Sequence, residues 1–317
     1  MTRYILRRLV LLVPVVVGVT LLSFIVIKIL PGDLAVAMFG LEGVDRMSPE
    51  TLAQIRADLG LDRPLYVQYL SWLWGVLQGD LGKSLVLKIR ILPEILRRFA
   101  ITGELAILSV LFGLVVGAPI GTLVAVRGGT WDWCGRFLTS VGVAMPSFFV
   151  ATLLLLFVAP HTPWIPVFTY VPITEDPVRN LLSMIFPVVA IGSGMSMVIA
   201  ENTRSAVLDV LGQDYIVVAR AKGLRENIIV WRHVFKNAAI PIISILGLQT
   251  GFLFSGTIII ETVFSLPGMG KLVMNGINLR DYVVVQGVLL FTGVAVVLIN
   301  LITDILYAYV DPRIRYE

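Results

Sequence analysis

The stretch ITGELAILSVLFGLVVGAPIGTLVAV, residues 101–126, decides the fold class of this chain. It carries one charged residue, Glu104, over its whole length. A helix needs about 20 consecutive apolar residues to cross the hydrocarbon core of a bilayer. The stretch is therefore predicted to span a membrane as a single helix.

The composition of the whole chain fits the same environment. Of the 317 residues, 57% are hydrophobic and 15% are charged, whereas a soluble globular domain carries about 25% charged residues. A chain in lipid must satisfy its backbone hydrogen bonds internally, which leaves helices or a closed barrel. The sequence lacks the alternating segments of about ten residues that are typical of barrel strands. We predict an all-α, polytopic membrane protein with about six transmembrane helices.

Six apolar segments are long enough to cross a membrane. They cover residues 9–30, 101–126, 137–159, 181–206, 239–264 and 283–309. The first is interpreted as a retained anchor, because its apolar run is longer than a signal-peptide core and ends at Leu30-Pro31-Gly32-Asp33. The predicted organisation is an N-terminus with the first helix (1–30), an exterior loop (31–100), a five-helix membrane core (101–310) that includes a cytoplasmic loop (207–238), and a cytoplasmic tail (311–317).

The distribution of Lys and Arg predicts the orientation. Short segments on one side of the predicted spans hold Arg3, Arg7, Arg8, Arg127, Arg136, Arg204, Arg220, Lys222, Arg225, Arg232, Lys236, Arg313 and Arg315. Basic residues in short loops favour the cytoplasmic side of a membrane. Both termini are therefore predicted to be cytoplasmic, and the net charge of +4 is interpreted as a topological bias rather than as affinity for nucleic acid.

Several classes of chemistry are disfavoured by the residues available. Cys134, His161 and His233 are too few and too dispersed for a metal site or a Cys–His catalytic pair, so we predict no catalytic residue, metal or cofactor. Gly82-Lys83-Ser84 resembles the end of a phosphate-binding loop, but Leu77 stands where that motif requires glycine. The chain is therefore not expected to be an ATPase. An intramembrane hydrolase is also disfavoured, because no catalytic pair lies within the spans.

Small residues and acids mark two further features of the spans. Gly113, Gly117 and Gly121 recur every four residues, which places them on one helical face and permits close backbone approach. Acids in or near spans are functional candidates because a charge in lipid is costly. Those acids are Glu104, Glu261 and Asp304, and both a structural role and a role in a gate or pathway are open for them. Glu261 is followed by the turn residues Pro267, Gly268 and Gly270, which favour a shaped gating loop over a simple connection.

The segment DYIVVARAKGL, residues 214–224, is the most informative part of the loop at 207–238. Asp214 is suited to cap a short helix, and Gly223 is suited to end it in the left-handed conformation. A surface helix of this kind can dock into a groove of a partner protein or lie on lipid headgroups. The residues alone leave both interpretations open.

This segment resembles the coupling loop of ABC importer permeases of the peptide/nickel group, through Asp214-Tyr215 and Ala219-Arg220-Ala221-Lys222-Gly223-Leu224. The similarity extends over nearly the whole chain, in the order Leu30-Pro31-Gly32-Asp33, residues 59–65, residues 78–84, residues 261–270 and Asp311-Pro312-Arg313. Two segments depart from the general coupling consensus. Val217-Val218-Ala219 replaces Glu-Ala-Ala, and residues 233–236 replace Ile-x-Leu-Pro.

The resemblance implies a type I importer permease in the bacterial plasma membrane that forms half of a translocation pathway. The implied partners are a second homologous permease subunit, two cytoplasmic ATPase subunits, an exterior substrate-binding protein and membrane lipid, with no nucleic acid. The implied ATPase-coupling residues are Asp214, Tyr215, Ala219, Arg220, Ala221, Lys222, Gly223 and Leu224, and the gate or pathway candidates are Glu261, Pro267, Gly268, Gly270 and Asp304. The implied substrate is a di- or oligopeptide, with glutathione and nickel chelates as alternatives. A secondary carrier or channel, which would need no ATPase, is the alternative of a different class.

Overall fold

The computed structural model describes residues 2–29, 48–58, 60–84 and 86–310. Within these ranges the chain is helical, and an isolated antiparallel bridge joins Lys83 to Arg90. The α-helices are α1 (Thr2–Ile29), α2 (Pro49–Asp58), α3 (Leu65–Leu77), α4 (Ile91–Arg127), α5 (Gly129–Ala144), α6 (Ser147–Leu153), α7 (Pro177–Leu211), α8 (Asp214–Ala221), α9 (Glu226–Ile228), α10 (Phe235–Gly256), α11 (Ile258–Val263), α12 (Met269–Asn278) and α13 (Tyr282–Val310). Residues Leu154–Val158 and Ile229–Val234 are π-helical, and Ala159–His161 form a 3-10 turn. The predicted all-α fold is confirmed.

Among the described residues, four helices are long and apolar enough to cross a membrane by themselves. They are Leu6–Ile29 within α1, α4, α7 and Tyr282–Ile305 within α13. They coincide with the first, second, fourth and sixth predicted segments. At 37 and 35 residues, α4 and α7 are much longer than the roughly 20 residues that a crossing requires. Both therefore extend beyond the hydrocarbon core.

The third predicted segment, 137–159, is not one straight span. The pair Gly129–Ala144 and Ser147–His161 is bent by 96°. Pro146 begins the second arm with φ −64° and ψ 141°, and Met145 before it is extended at ψ 118°. A residue that precedes proline is pushed out of the α region by contact with the proline ring. The prediction of a single helix here was wrong because Pro146 ends α5.

The fifth predicted segment, 239–264, is divided in the structure. Helix α10 begins at Phe235 and continues past Pro241 to Gly256, and Thr257 separates it from α11. The total of six spans and the cytoplasmic placement of both termini stay predictions. Three motifs lie wholly or partly outside the described residues: Leu30-Pro31-Gly32-Asp33, the segment that starts at Leu59, and Asp311-Pro312-Arg313. The predicted tail 311–317 also lies outside them.

The described residues form two compact units. The first comprises those of Met1–Ile5, Thr102–Leu266 and Ile299–Glu317, and the second comprises those of Leu6–Ile101 and Pro267–Leu298. In the second unit, Val19 of α1 lies against the backbone of Gly293 in α13, and Phe99 of α4 stacks edge-on with Phe291 at a centroid distance of 5.0 Å. Helices α2, α3 and α12 belong to this unit and were not predicted from the sequence.

In the first unit, α4 and α7 approach each other along the predicted glycine face. A Cβ atom on Gly117 would overlap the carbonyl oxygen of Ser196, and one on Gly121 would overlap that of Ala200. A Cβ atom on Gly113 would lie 3.1 Å from Met195 Cβ. The glycines therefore let the backbone of α4 lie directly against the surface of α7, as small residues do at helix interfaces in membranes.

The α4–α7 contact generates a stability prediction. We expect Gly117→Ala to lower the melting temperature of the purified chain, because a new methyl group meets backbone that cannot rotate away. Gly103→Ala on the same helix is the matched control, since a Cβ atom there meets nothing within 4 Å. Alanine is favoured over glycine in a helix by about 1 kcal/mol, so the control should be neutral or stabilising. Equal melting temperatures for the two variants would contradict the close approach.

The orientation predicted from charge is testable at Cys134, which is exposed in α5. We expect an impermeant thiol reagent to leave Cys134 unlabelled in intact cells and to label it after the membrane is opened. Glu175→Cys, placed in a Cys134→Ser background, is the matched control, because Glu175 is exposed in the loop predicted to be exterior. Labelling of Cys134 from outside would overturn the predicted topology.

Candidate coupling helix and gating residues

Helix α8 is fixed to the first unit by one face. Ile216 is fully buried and Ala219 is 8% exposed, and their spacing of three residues places them on the same side of the helix. The buried cluster that receives them consists of Ala125, Ala206, Val207, Ile229, Val234 and Ala238, with Val210 and Leu211 packed against it. These residues come from the ends of α4 and α7, from the π-helical turn and from the start of α10. Helix α8 is thus anchored to three long helices at once.

The C-terminal end of α8 is closed by two backbone hydrogen bonds. The Gly223 N–H donates to the Arg220 carbonyl at 2.9 Å, and the Leu224 N–H donates to the Ala219 carbonyl at 3.3 Å. This pair of bonds defines a Schellman motif, which requires the left-handed conformation at the residue after the cap. Gly223 has φ +76°. The prediction that Gly223 ends the helix in the left-handed conformation is confirmed.

The N-terminal end differs from the expectation. Asp214 is the first residue of α8 rather than its cap, and Gln213 precedes it with φ −81°, ψ 144° and no capping side-chain bond. The carboxylate of Asp214 still lies in the first turn, where negative charge interacts favourably with the helix dipole. Asp214 therefore acts on the helix through charge and not through a capping hydrogen bond.

The outer face of α8 is apolar and exposed. Tyr215, Val217 and Val218 are 44%, 59% and 52% exposed, and Ala221 is exposed as well. The hydroxyl of Tyr215 accepts a hydrogen bond of 3.1 Å from Asn237 Nδ2, which orients the ring. Large apolar side chains grouped on an exposed surface are typical of an interaction site.

The loop that follows α8 is held by an ion pair. Arg220 Nε lies 2.7 Å from Glu226 Oε1, and a second guanidinium nitrogen lies 3.4 Å from Oε2. Both side chains are about half exposed, so the pair contributes at most about 1 kcal/mol. The Arg220 side chain is therefore engaged in an ion pair within the chain. Lys222 and Leu224 are exposed at the helix end.

Glu261 of α11 is the most deeply buried acid among the described residues, with no exposed surface. Its Oε1 accepts hydrogen bonds from Thr102 at 2.7 Å and from Thr257 at 3.2 Å. Thr102 belongs to α4, so the carboxylate joins α11 to α4 within the first unit. A buried carboxylate must be hydrogen-bonded to be tolerated, and the two threonine hydroxyls provide this.

The chain leaves α11 through a second Schellman motif. The Ser265 N–H donates to the Thr262 carbonyl at 3.2 Å, and the Leu266 N–H donates to the Glu261 carbonyl at 2.8 Å. Ser265 has φ +55°, which costs a residue other than glycine about 1–2 kcal/mol. Leu266, at 1% exposure, is buried directly after it. The exit from α11 is therefore a defined and strained turn.

The remaining gate candidates lie elsewhere. Pro267, Gly268 and Gly270 belong to the second unit, where Gly268 precedes α12 with φ −91° and ψ −171° and both glycines are buried. Asp304 is half-buried in α13 and belongs to the first unit. Glu261 and Asp304 thus share one unit, and the Pro-Gly-x-Gly turn begins a helix of the other.

Two polar contacts, one buried and one partly buried, were not anticipated from the sequence. In the second unit, Ser84 Oγ donates to Asp281 Oδ2, and both residues are almost fully buried. Asp281 Oδ1 also accepts from the Val284 N–H at 3.4 Å, so Asp281 caps α13. An Asp directly before an apolar run is a helix-start signal that could have revealed the cap, although nothing local identifies Ser84 as its partner.

The other contact lies in the first unit. The hydroxyl of Tyr170, in the loop before α7, donates to Glu104 Oε2 at 2.9 Å. Burial, together with the Glu104 carboxylate, raises the pKa of Tyr170. The hydroxyl therefore stays protonated and remains a donor. Glu104 Oε1 is buried without a hydrogen-bond partner among the described residues, so a structural role and a gate or pathway role both stay open for Glu104.

The sequence matches a known protein family over most of its length. Residues 117–316 match the family described as "Binding-protein-dependent transport system inner membrane component", and residues 1–106 match the N-terminal region of the corresponding membrane components. The chain belongs to this family of transport-system permeases.

Curated relatives match the chain from end to end. It is 39% identical to the dipeptide transport system permease protein DppB of Escherichia coli (strain K12), with complete coverage of both chains. It is 36% identical to the protein of the same name from Alkalihalophilus pseudofirmus and 38% identical to a putative peptide transport system permease protein of Brucella abortus (strain 2308), again with complete coverage.

The Glu261 site generates a prediction. We expect Glu261→Ala to lower the melting temperature of the purified chain, because the hydroxyls of Thr102 and Thr257 lose a common acceptor. An unsatisfied buried hydroxyl costs about 1–3 kcal/mol. Glu261→Gln keeps an acceptor oxygen and should retain more of the stability. Thr262→Ala is the control, since the exposed Thr262 donates only to a carbonyl of its own helix. If Glu261→Ala and Thr262→Ala melt alike, Glu261 does not join α11 to α4.

Proposed function

We propose that the chain is the membrane-spanning subunit of an ATP-driven importer that takes up di- or oligopeptides across a bacterial inner membrane. The family membership supports a permease. The substrate class rests on relatives that are named as dipeptide and peptide permeases and that match the chain over its full length. Glutathione and nickel chelates remain the alternative substrates.

The observation that carries the proposal is the anchoring of α8. Its inner face is buried among residues from α4, α7 and the start of α10, and its outer face is apolar and exposed. A partner that binds the outer face therefore pushes on three long helices through Ile216 and Ala219. A helix that only rested on lipid headgroups would not need this rigid attachment to the membrane core.

The proposed partner at α8 is a cytoplasmic ATPase subunit. Tyr215, Val217, Val218 and Ala221 present an uncharged surface of the kind that fits an apolar groove. Closure of paired ATPases would move α8 and rock the attached helices between inward-open and outward-open states. The complete transporter would contain two ATPases, a second homologous permease subunit and an exterior substrate-binding protein.

The proposed gate includes Glu261 and the strained turn that follows it. Strained backbone persists where the surrounding structure holds it in place, and such positions occur in switch regions. Glu261 and Ser265 lie within five residues of each other, and the buried carboxylate joins α11 to α4. We include Pro267, Gly268, Gly270 and Asp304 in the proposed gate or pathway on the strength of the family resemblance.

Reconstitution tests the function directly. The chain, with its permease, ATPase and binding-protein partners, is placed in proteoliposomes, and uptake of a radiolabelled dipeptide, glutathione or a nickel chelate is measured with and without ATP. ATP-dependent dipeptide uptake supports the proposal. Uptake that persists without ATP would indicate a secondary carrier, and ATP-dependent uptake of only one of the other compounds would change the substrate.

The α8 assignment generates a prediction in the same system. We expect Gly223→Val to reduce substrate-stimulated ATP hydrolysis by about tenfold, since the strain of a left-handed β-branched residue is about 1–2 kcal/mol. Nothing in the chain lies within 4 Å of a Cβ atom at Gly223, so the effect arises from the backbone and not from a clash. Gly128→Val is the control, because Gly128 has equally open surroundings, and its φ of +61° and ψ of −164° make the backbone strain of valine there at least as great.

A charge at the docking face provides a second variant. Ala221→Glu should also reduce substrate-stimulated ATP hydrolysis, because it places a carboxylate on the exposed apolar face. Asn227→Glu is the charge-matched control on the following exposed segment. The neighbouring Glu226 is not used as the control site, because a substitution there would break its ion pair with Arg220 of α8. If Gly223→Val and Ala221→Glu both retain full substrate-stimulated ATP hydrolysis, α8 is only a surface helix and does not couple to an ATPase.

A further inference from the structure

Helix α3 in the predicted exterior loop is unusually apolar. Its sequence, LYVQYLSWLWGVL, contains no charged residue. Thirteen residues of helix are about 20 Å long, which is shorter than the hydrocarbon core of about 30 Å. Helix α3 therefore cannot cross a membrane, yet it has the composition of a segment that avoids water.

One face of α3 packs against the end of α1 within the second unit. Tyr69 and Trp72 contact the ring of Phe24 with centroid distances of 5.5 Å and 6.0 Å. The Tyr69 hydroxyl and the Thr20 hydroxyl are 2.8 Å apart, and Lys28 Nζ donates to Gln68 Oε1 at 2.6 Å. Aromatic and polar contacts together fix the rotation of α3 about its own axis.

The opposite face of α3 is exposed. Tyr66, Leu70, Trp74 and Leu77 are 68%, 58%, 65% and 72% exposed. Their spacing of four, four and three residues places them in one stripe along the helix. Large apolar side chains grouped in this way mark an interaction surface, because soluble surfaces rarely carry a large contiguous apolar patch.

The contacts with α1 define the depth of α3. Thr20, Phe24 and Lys28 follow one another at intervals of about one turn, so Thr20 lies about 12 Å below Lys28 along α1. Lys28 is the only charged residue of α1 after Arg8, so it marks the end of the apolar stretch of this span. Helix α3 therefore lies beside the last turns of a membrane span, where the acyl chains meet the headgroups.

We propose that α3 is an interfacial helix whose stripe of Tyr66, Leu70, Trp74 and Leu77 inserts into the exterior leaflet of the lipid bilayer. Leu22 and Ile25 of α1, in the same unit, are also exposed at this depth. Trp and Tyr are enriched at the boundary between headgroups and acyl chains. Apolar area buried at this boundary binds an amphipathic helix to the membrane. The inference rests on α1 as a membrane span and is independent of the transported substrate.

Spin-label accessibility tests the proposal on the full chain. Leu70→Cys and Trp74→Cys are made separately in a Cys134→Ser background, labelled with a nitroxide and reconstituted with cysteine-free permease and ATPase partners in liposomes of phosphatidylcholine and phosphatidylglycerol. Collision rates are measured with oxygen, which partitions into lipid, and with a nickel chelate, which stays in water. Val13→Cys is the lipid reference, because Val13 is 60% exposed on α1, and Ser71→Cys is the reference on another, exposed face of α3.

We expect the ratio of oxygen to nickel collisions at Leu70 and Trp74 to approach that at Val13 and to exceed that at Ser71. High nickel accessibility at both positions would overturn the proposal, since the stripe would then face water. Low accessibility to both reagents would also overturn it, because a protein partner such as a second permease subunit would cover the face. Tyr66→Cys reports on the same stripe should the label at Trp74 disturb folding.

Discussion

The close approach of α4 and α7 determines how the rest of the first unit is arranged. Gly117 and Gly121 bring the α4 backbone against the carbonyl groups of Ser196 and Ala200, which any side chain would prevent. Closer to α8, the same two helices contribute Ala125 and the pair Ala206 and Val207 to one buried cluster. Ile216 of α8 packs into this cluster. The position of α8 therefore depends on the distance between two membrane helices. In lipid, where apolar burial provides little drive for helix association, packing of this kind provides the specificity.

Three helix ends show what the sequence could and could not predict. Helices α8, α11 and α12 all end in the same pair of hydrogen bonds, with Gly223, Ser265 and Arg280 in the left-handed conformation. Only Gly223 was predicted, because glycine is the residue that adopts this conformation without strain. At the other two ends the following residues, Leu266 and Asp281, are almost fully buried. Tertiary packing holds these turns, and local sequence does not encode it.

The same distinction applies to the spans and the sites. Apolar length was sufficient to predict α1, α4, α7 and α13. The bend at Pro146 was missed because proline is tolerated inside membrane helices when neighbours satisfy the backbone, so its presence alone does not predict a break. Glu261 could be selected as a costly charge in a span, but its partner Thr102 is 159 residues away in sequence. Contacts over such separations follow from the fold and leave no local pattern.

Helix α4 joins the two proposed functional regions of the first unit. Thr102, in the N-terminal half of α4, binds the carboxylate of Glu261, and Ala125, near the C-terminal end, forms part of the cluster that holds α8. The helix is continuous between them, and 23 residues of helix span about 35 Å. In the proposed mechanism, a displacement of α8 would reach the turn after Glu261 through α4. Pro119 lies within this helix and removes one backbone donor, so any bending of α4 is expected there, next to the glycines that hold it against α7. Helix α4 therefore contains both the segment that would transmit a displacement and the proline at which it can bend.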